Sequence, residues 1–291
     1  MKIDRRTLMK GMLAGGGVLA LGVPQSTFAS SPNRRAGHCV LLLGDTRVDS
    51  AFLKGARAAC ADLAYDGLQT VVLKGGLFGD SDNTVKMLET SRGSRWIVLM
   101  DDASAAIFMG LARDAGVLLL SMGTHACSDD SSCQLRLTWV AASPAQSAGL
   151  LLASHFAKSH NSFSITETFL MQPLWENALV NQSALGFSSY RSVSSEVINM
   201  HCSGLSLEDG CELLGLVTEG WSPIPHGVSN RPPVTRYSEN WVESVGYAIT
   251  SSALGPELLQ ESCSRRVFVH RSRNVQRIQP QERFVTFVLD V

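Results

Sequence analysis

The sequence has few charged residues and no excess of either sign. Charged residues make up 18% of the 291-residue chain, with 25 Lys and Arg against 26 Asp and Glu and a formal net charge of −1. A general nucleic-acid binder carries a basic excess, so this balance argues against that class. Beyond the first 30 residues, no apolar run approaches the ~20 residues of a membrane span. Hydrophobic residues still make up 45% of the chain, which excludes disorder as its main state.

The sequence also lacks the motifs of several enzyme classes. The segment Gly44-Asp45-Thr46 resembles the Gly-Asp-Ser motif of small esterases, but Thr replaces the nucleophilic Ser and no Asp-x-x-His follows near the end of the chain. Glycines are too sparse after the first two predicted strands for a dinucleotide-binding loop. There is no Cys-x-x-Cys, no haem-attachment motif and no His-Glu-x-x-His. We therefore expect no catalytic residues and no cofactor.

The first 29 residues have the features of an export signal. Arg5 and Arg6 form an adjacent pair, and a moderately apolar run follows over residues 11–23. Thr27 and Ala29 then supply the small residues that a signal peptidase reads. In this order the features resemble a twin-arginine (Tat) export signal. The resemblance implies transport by the Tat translocase, cleavage after Ala29 and a periplasmic protein that is soluble.

Short apolar runs alternate with amphipathic segments over residues 37–160, after a flexible lead-in at 30–36. The predicted strands are 39–45, 68–73, 96–100, 117–121 and 135–141. The predicted helices are 50–65, 83–90, 103–115 and 144–158. Strands separated by helices are typical of βαβ units with right-handed crossovers. We therefore predict an α/β lobe with a doubly wound parallel sheet over 37–160.

Beyond residue 160 the alternation is irregular, which predicts a second, less regular α+β lobe over 161–291. Its predicted strands are 163–171 and 196–200, and its predicted helices are 175–190 and 240–254. A proline-containing loop is expected at 220–236. The segments 266–270 and 283–289 alternate like the two strands of a hairpin.

Five segments of the first lobe resemble the N-terminal lobe of type I periplasmic solute-binding proteins. They are 41–45 (LLLGD), 52–56 (FLKGA), 96–102 (WIVLMDD), 112–117 (ARDAGV) and 143–156, where that family crosses toward its second lobe. The resemblance covers under half of the chain, over 38–160, and residues 163–291 depart from it. It implies a solute held in a cleft between two lobes, with a membrane transporter or sensor as partner.

Polar side chains follow the ends of the predicted strands. In an open parallel sheet, ligands bind beyond the carboxyl ends of the strands, near the point where strand order reverses. Carboxylates, hydroxyls and an imidazole at these ends would suit a small polar solute. The alternative is that Asp45 and Asp102 cap the helices that follow them. The candidate ligand-binding residues are Asp45, Thr46, Asp101, Asp102, Thr124 and His125.

Seven cysteines permit up to three disulfides in an oxidising compartment. The disulfide candidates are the pairs Cys127 with Cys133 and Cys202 with Cys211. One imidazole beside two sulfurs would also suit zinc or copper, and the candidate ligands are then His125, Cys127 and Cys133, or His201, Cys202 and Cys211. This leaves open an accessory redox or metal-binding subunit of a Tat-exported respiratory enzyme. A scaffold whose binding lobe has lost its ligand is a third alternative.

Overall fold

The computed structural model describes residues 38–127, 134–159, 161–170, 186–193, 196–224, 238–255, 263–272 and 282–291. The predicted signal peptide with Arg5, Arg6 and Ala29 lies outside these ranges, as do the lead-in at 30–36 and Cys133. Most of the helix predicted at 175–190 also lies outside them. None of the helices in the described ranges combines the length and the apolar character needed to cross a membrane.

The described residues form eleven strands and seven α-helices. The strands are β1 (Cys39–Leu43), β2 (Leu68–Val72), β3 (Arg95–Met100), β4 (Leu118–Cys127), β5 (Leu135–Ala141), β6 (Phe163–Phe169), β7 (Ser188–Val193), β8 (Val197–Ser203), β9 (Trp221–Pro223), β10 (Arg265–His270) and β11 (Arg283–Asp290). The helices are α1 (Asp49–Asp62), α2 (Gly76–Gly79), α3 (Ser81–Thr90), α4 (Asp102–Asp114), α5 (Gly149–Lys158), α6 (Leu207–Leu214) and α7 (Trp241–Leu254).

All eleven strands belong to one sheet, in the order β2-β1-β3-β11-β4-β5-β6-β10-β8-β7-β9. The pairs β1–β2, β1–β3, β5–β6 and β8–β10 are parallel, and the remaining pairs are antiparallel. The sheet therefore continues from the residues of the first predicted lobe into those of the second. The predicted α/β class is confirmed as a mixed sheet packed with helices.

Two predictions about strand pairing are wrong. The sequence predicts β4 and β5 to be parallel, but they pair antiparallel, since the seven residues 128–134 between them are too few for the helical crossover that a parallel pair needs. The expected hairpin of β10 and β11 does not form. Instead β10 pairs with β6 and β8, whereas β11 lies between β3 and β4. Ser188–Val193 forms β7, so the end of the predicted helix at 175–190 is also wrong.

Helices cover both faces of the sheet around β1, because alternate β1 side chains enter different core clusters. Leu41 and Leu43 pack with residues of α1, α5 and α7, whereas Val40 and Leu42 pack with residues of α2, α3 and α4. This two-sided burial explains why β1 is a continuous apolar run rather than an alternating one.

The helices α1 and α7 cross at unusually close range, and two glycines make this approach feasible. A Cβ atom on Gly55 would overlap the carbonyl oxygen of Glu243, and one on Gly246 would overlap the carbonyl oxygen of Phe52. Neither clash occurs with glycine, since it has no side chain. The crossing therefore fixes how α7 lies over the first half of the sheet.

A buried ion pair joins β6 to β10 beneath the start of α5. Arg266 Nε donates to Glu167 Oε2 at 2.7 Å, and the two side chains are 2% and 0% exposed. The other carboxylate oxygen accepts the Gly149 N–H, also at 2.7 Å. The Arg266 guanidinium lies over two aromatic rings, 5.5 Å from the centroid of Phe169 and 5.4 Å from the centroid of Phe268. Both carboxylate oxygens are thus hydrogen-bonded, as a buried charge requires.

Candidate functional site

The carboxyl ends of four strands meet at one edge of the sheet. The strands β1, β2 and β3 are parallel, and β4 runs in the same direction as β3 because both are antiparallel to β11. The first residues of β11 therefore arrive at this edge beside the ends of β3 and β4. We call this region, built from residues 45–47, 75, 101–102 and 282–283, the strand-end edge.

Asp45 and Thr46 organise the loop that leads from β1 into α1. Asp45 adopts a left-handed backbone conformation with φ of 60°, and its Oδ2 accepts the Gly75 N–H at 3.0 Å. The Thr46 hydroxyl donates to Asp49 Oδ1 at 2.5 Å and accepts the Val48 N–H at 3.4 Å. Asp45 does not cap α1, since the N-cap position is Val48. It ties the end of β1 to the loop after β2 instead.

Asp101, rather than Asp102, caps the helix that follows β3. Its Oδ1 accepts the N–H groups of Ala103 and Ser104 at 2.9 and 3.0 Å, and its Oδ2 accepts the Ser104 hydroxyl at 2.6 Å. Burial by itself raises the pKa of Asp101, but these hydrogen bonds outweigh it and the pKa is lowered. The capping role predicted for Asp102 is therefore wrong by one residue, since Asp101 is the N-cap and Asp102 is the first residue of α4. Asp101 remains charged as a structural group.

Asp102 faces the start of β11 and forms an ion pair there. Its Oδ2 lies 2.8 Å from Arg283 Nε, with the two side chains 39% and 40% exposed. Burial is the main influence on Asp102, and it raises the pKa of this carboxyl despite the attraction of Arg283. A second pair lies beside it, with Arg47 Nη1 and Glu282 Oε1 3.7 Å apart. The strand-end edge therefore presents both signs of charge to solvent.

Arg47 is a site residue that the sequence did not indicate. Arg283 belongs to a basic C-terminal stretch that predicts a solvated hairpin face or, alternatively, a site for an anionic partner or ligand, but its pairing with Asp102 was not predicted. Its place beside Asp102 depends on the pairing of β11 with β3, which joins segments almost two hundred residues apart. No local pattern around residue 283 carries that information.

Thr124 and His125 occupy opposite faces of β4, and neither projects beyond the strand end. The Thr124 hydroxyl is hydrogen-bonded to that of Thr138 on β5. His125 is 0% exposed, and its ring lies 4.7 Å from Trp139 and 4.9 Å from Phe284, centroid to centroid. Its Nε2 lies 2.7 Å from the Thr286 hydroxyl. Burial lowers the pKa of His125 to about 3, so the ring is neutral and belongs to the core.

The second predicted metal set is not assembled. His201 and Cys202 are neighbours on β8 and point to opposite faces of the sheet. The His201 ring stacks on Phe268 at 4.6 Å, whereas Cys202 packs with Cys211 in an apolar cluster beneath α6. Within the described ranges, no three His, Cys, Asp or Glu side chains converge on a metal position. The first set cannot be placed because Cys133 lies outside these ranges.

The disulfide predicted between Cys202 and Cys211 is not formed. Both residues are buried as thiols, and burial raises the pKa of Cys202 to about 12. Cys202 of β8 and Cys211 of α6 pack in the same apolar cluster, which is the ordinary role of a buried cysteine. The Cys127–Cys133 pair includes a residue outside the described ranges.

Comparisons of the chain with protein-family models, with curated proteins and with solved structures found no match.

Proposed function

We propose that this protein is a non-enzymatic binding protein that holds a small polar solute at the strand-end edge. The observation that carries the proposal is that two solvent-accessible ion pairs, Asp102–Arg283 and Arg47–Glu282, lie at the carboxyl ends of the strands. This is the edge at which open α/β sheets bind ligands. The sequence also predicts ligand-binding residues at this edge, namely Asp45, Thr46, Asp101 and Asp102, whereas the predicted Thr124 and His125 lie within the sheet.

The chemistry of this edge favours a solute that carries a carboxylate together with an ammonium or hydroxyl group. A guanidinium presents paired N–H groups that match a carboxylate, and Asp102 accepts hydrogen bonds from donors. Exposed ion pairs contribute only about 0–1 kcal/mol to stability, so a ligand can replace one partner at little cost. Asp101 and Asp45 would hold the surrounding loops in place, since their carboxylates are committed to backbone N–H groups.

The proposed setting is the periplasm. The resemblance of the first 29 residues to a Tat signal supports export by the Tat translocase, and the resemblance to type I solute-binding proteins supports delivery to a membrane transporter or sensor. One sheet runs through the described residues of both predicted lobes. The proposal therefore places the solute at the edge of this sheet rather than between two hinged lobes.

The alternative of a metal-binding accessory subunit has no comparable support. Its second ligand set would require His201 and Cys202 on the same side of β8, and they lie on opposite sides. Metal content, measured on protein purified from the periplasm without chelator, separates the two proposals. Stoichiometric zinc or copper would favour the accessory subunit.

The binding proposal is tested by thermal unfolding of the purified protein against a library of amino acids, hydroxy acids and sugars. We expect at least one solute with a carboxylate and a second polar group to raise the unfolding temperature in a saturable way. The substitutions Arg283→Gln and Asp102→Asn should abolish that effect. Arg113→Gln is the matched control, because Arg113 forms an exposed pair with Asp114 at the opposite end of α4. An effect that survives Arg283→Gln, or a library without any stabilising solute, would refute the proposal.

A further inference from the structure

A cavity of about 610 Å³ lies between α1, α5 and α7, and none of the strand-end residues lines it. Its volume is within the range of small-molecule sites, roughly 300–1,000 Å³. On the α1 side it is lined by Gly55, Ala58 and Ala61, three residues with little or no side chain at three-residue spacing. The cavity therefore lies along the same crossing of α1 and α7 at which Gly55 contacts the Glu243 backbone.

The inner wall of the cavity is polar and hydrogen-bonded. His155 Nε2 lies 2.9 Å from the Ser244 hydroxyl, 3.2 Å from the Ser238 backbone nitrogen and 3.3 Å from the Ser238 carbonyl oxygen. The imidazole is therefore held in place by the loop before α7 and by α7 itself. Burial is the main cause of the lowered pKa of His155, which keeps the ring neutral. This wall therefore offers hydroxyl groups and no positive charge.

The positive charge comes from α1. Lys54 is 73% exposed and pairs with Glu243 across the cavity at 2.9 Å. Arg57 lies one turn farther along the same helix and also lines the cavity. Among the described residues, no carboxylate forms an ion pair with Arg57. The charges lining the cavity therefore leave one guanidinium available to a ligand.

The Ser238 hydroxyl is a second hydrogen-bond donor to the cavity, beside the Arg57 guanidinium. The hydroxyl oxygen accepts the Asn240 N–H at 3.2 Å, which leaves the hydroxyl hydrogen to be donated elsewhere. Ser238 and Arg57 approach the cavity from different elements, the loop before α7 and the surface of α1. A guanidinium and a hydroxyl that converge in this way match the oxygens of a carboxylate or phosphate.

We propose that this cavity binds a small oxyanion, the carboxylate or phosphate group of a solute, with Arg57 as its main cation and the Ser238 hydroxyl as a donor. The site is separate from the strand-end edge and does not depend on the function proposed there. Lys54 remains shared with Glu243 and acts as the weaker cation. Carboxylate and phosphate are two sources of the same chemistry, and the experiment distinguishes them.

The test is isothermal titration calorimetry of the full protein with inorganic phosphate and, separately, with succinate, at constant ionic strength. We expect saturable binding of at least one of the two anions. Arg57→Gln should weaken it tenfold or more, and Ser238→Ala should weaken it several-fold. Arg57 and Arg113 are both exposed, so Arg113→Gln is the matched control for general loss of positive charge. Arg283→Gln should leave this binding unchanged while it removes binding at the strand-end edge.

Three results would overturn the inference. The first is the absence of saturable heat with either anion. The second is equal affinity in the wild type and Arg57→Gln. Equal weakening by Arg57→Gln and Arg113→Gln would also overturn it, because the anion would then be responding to overall charge. A result in which phosphate binds and succinate does not would identify a phosphate-bearing solute, and the reverse would identify a carboxylate.

Discussion

Acid should destabilise this protein through one buried imidazole. His125 is fully enclosed beside Trp139 and Phe284, and burial lowers its pKa from 6.5 to about 3. In the unfolded chain the same group titrates near 6.5. Between those two values the unfolded state binds a proton that the folded state does not, so the free energy of unfolding falls as the pH is lowered. The slope is about 1.4 kcal/mol per pH unit, which amounts to roughly 3 kcal/mol between pH 7 and pH 4.

The assay is urea unfolding at a series of pH values for the wild type and for His125→Gln. Glutamine does not titrate, and it retains a polar group that can reach the Thr286 hydroxyl. The variant is expected to be less stable than the wild type at pH 7. Between pH 7 and pH 4, however, its free energy of unfolding should fall by about 3 kcal/mol less than that of the wild type. Carboxylates titrate equally in both proteins, so the difference between the two curves isolates His125. His38→Gln is the control at an exposed histidine. Parallel curves for the wild type and His125→Gln would refute the reasoning.

Two further predictions concern packing and buried charge, and urea unfolding at pH 7 measures both. Gly55→Ala should lower the free energy of unfolding by at least about 1–3 kcal/mol, because its methyl group would overlap the carbonyl oxygen of Glu243. Gly110→Ala in α4 meets no neighbouring atom and should raise the free energy of unfolding by up to about 1 kcal/mol. Equal effects of the two substitutions would contradict the close crossing. Arg266→Met should cost about 3–5 kcal/mol because it strands the Glu167 carboxylate in the core, and adding Glu167→Gln should recover part of that loss. A cost below about 1 kcal/mol for Arg266→Met would mean that the carboxylate is not buried as a charge.

The first half of the sheet was predictable because local signals determine it. The run at 39–45 is apolar without alternation, which indicates a strand buried on both faces, and β1 is such a strand. The segment 96–100 behaves in the same way in β3. Pairing was less predictable, since alternation in residues 266–270 and 283–289 marks each as a strand without naming its neighbours. The predicted strands 117–121 and 135–141 leave 122–134 between them, which is long enough for a crossover, and only the extension of β4 to Cys127 excludes one.

The candidate sites divide in the same way. A helix cap at the end of β3 was predictable because a capping side chain accepts from N–H groups two and three residues ahead, but the sequence did not distinguish Asp101 from Asp102 and the prediction named the wrong one. The partner of Asp102 could not be recognised, since Arg283 reaches it only through the position of β11. The cavity beside Arg57 requires three helices that are distant in the sequence. On its own, α1 shows only a charged face that suggests contact with water.

The position of β11 also affects how the chain can reach its final structure during synthesis. The strands β3 and β4 are made early, yet the strand that separates them is made only when the ribosome reaches residues 283–290. Until then both strands present open edges toward each other, and direct pairing between them would close the gap that β11 must enter. At ordinary rates of translation this exposure lasts on the order of ten seconds. Folding of this chain therefore has to keep β3 and β4 from pairing with each other until the last strand is inserted.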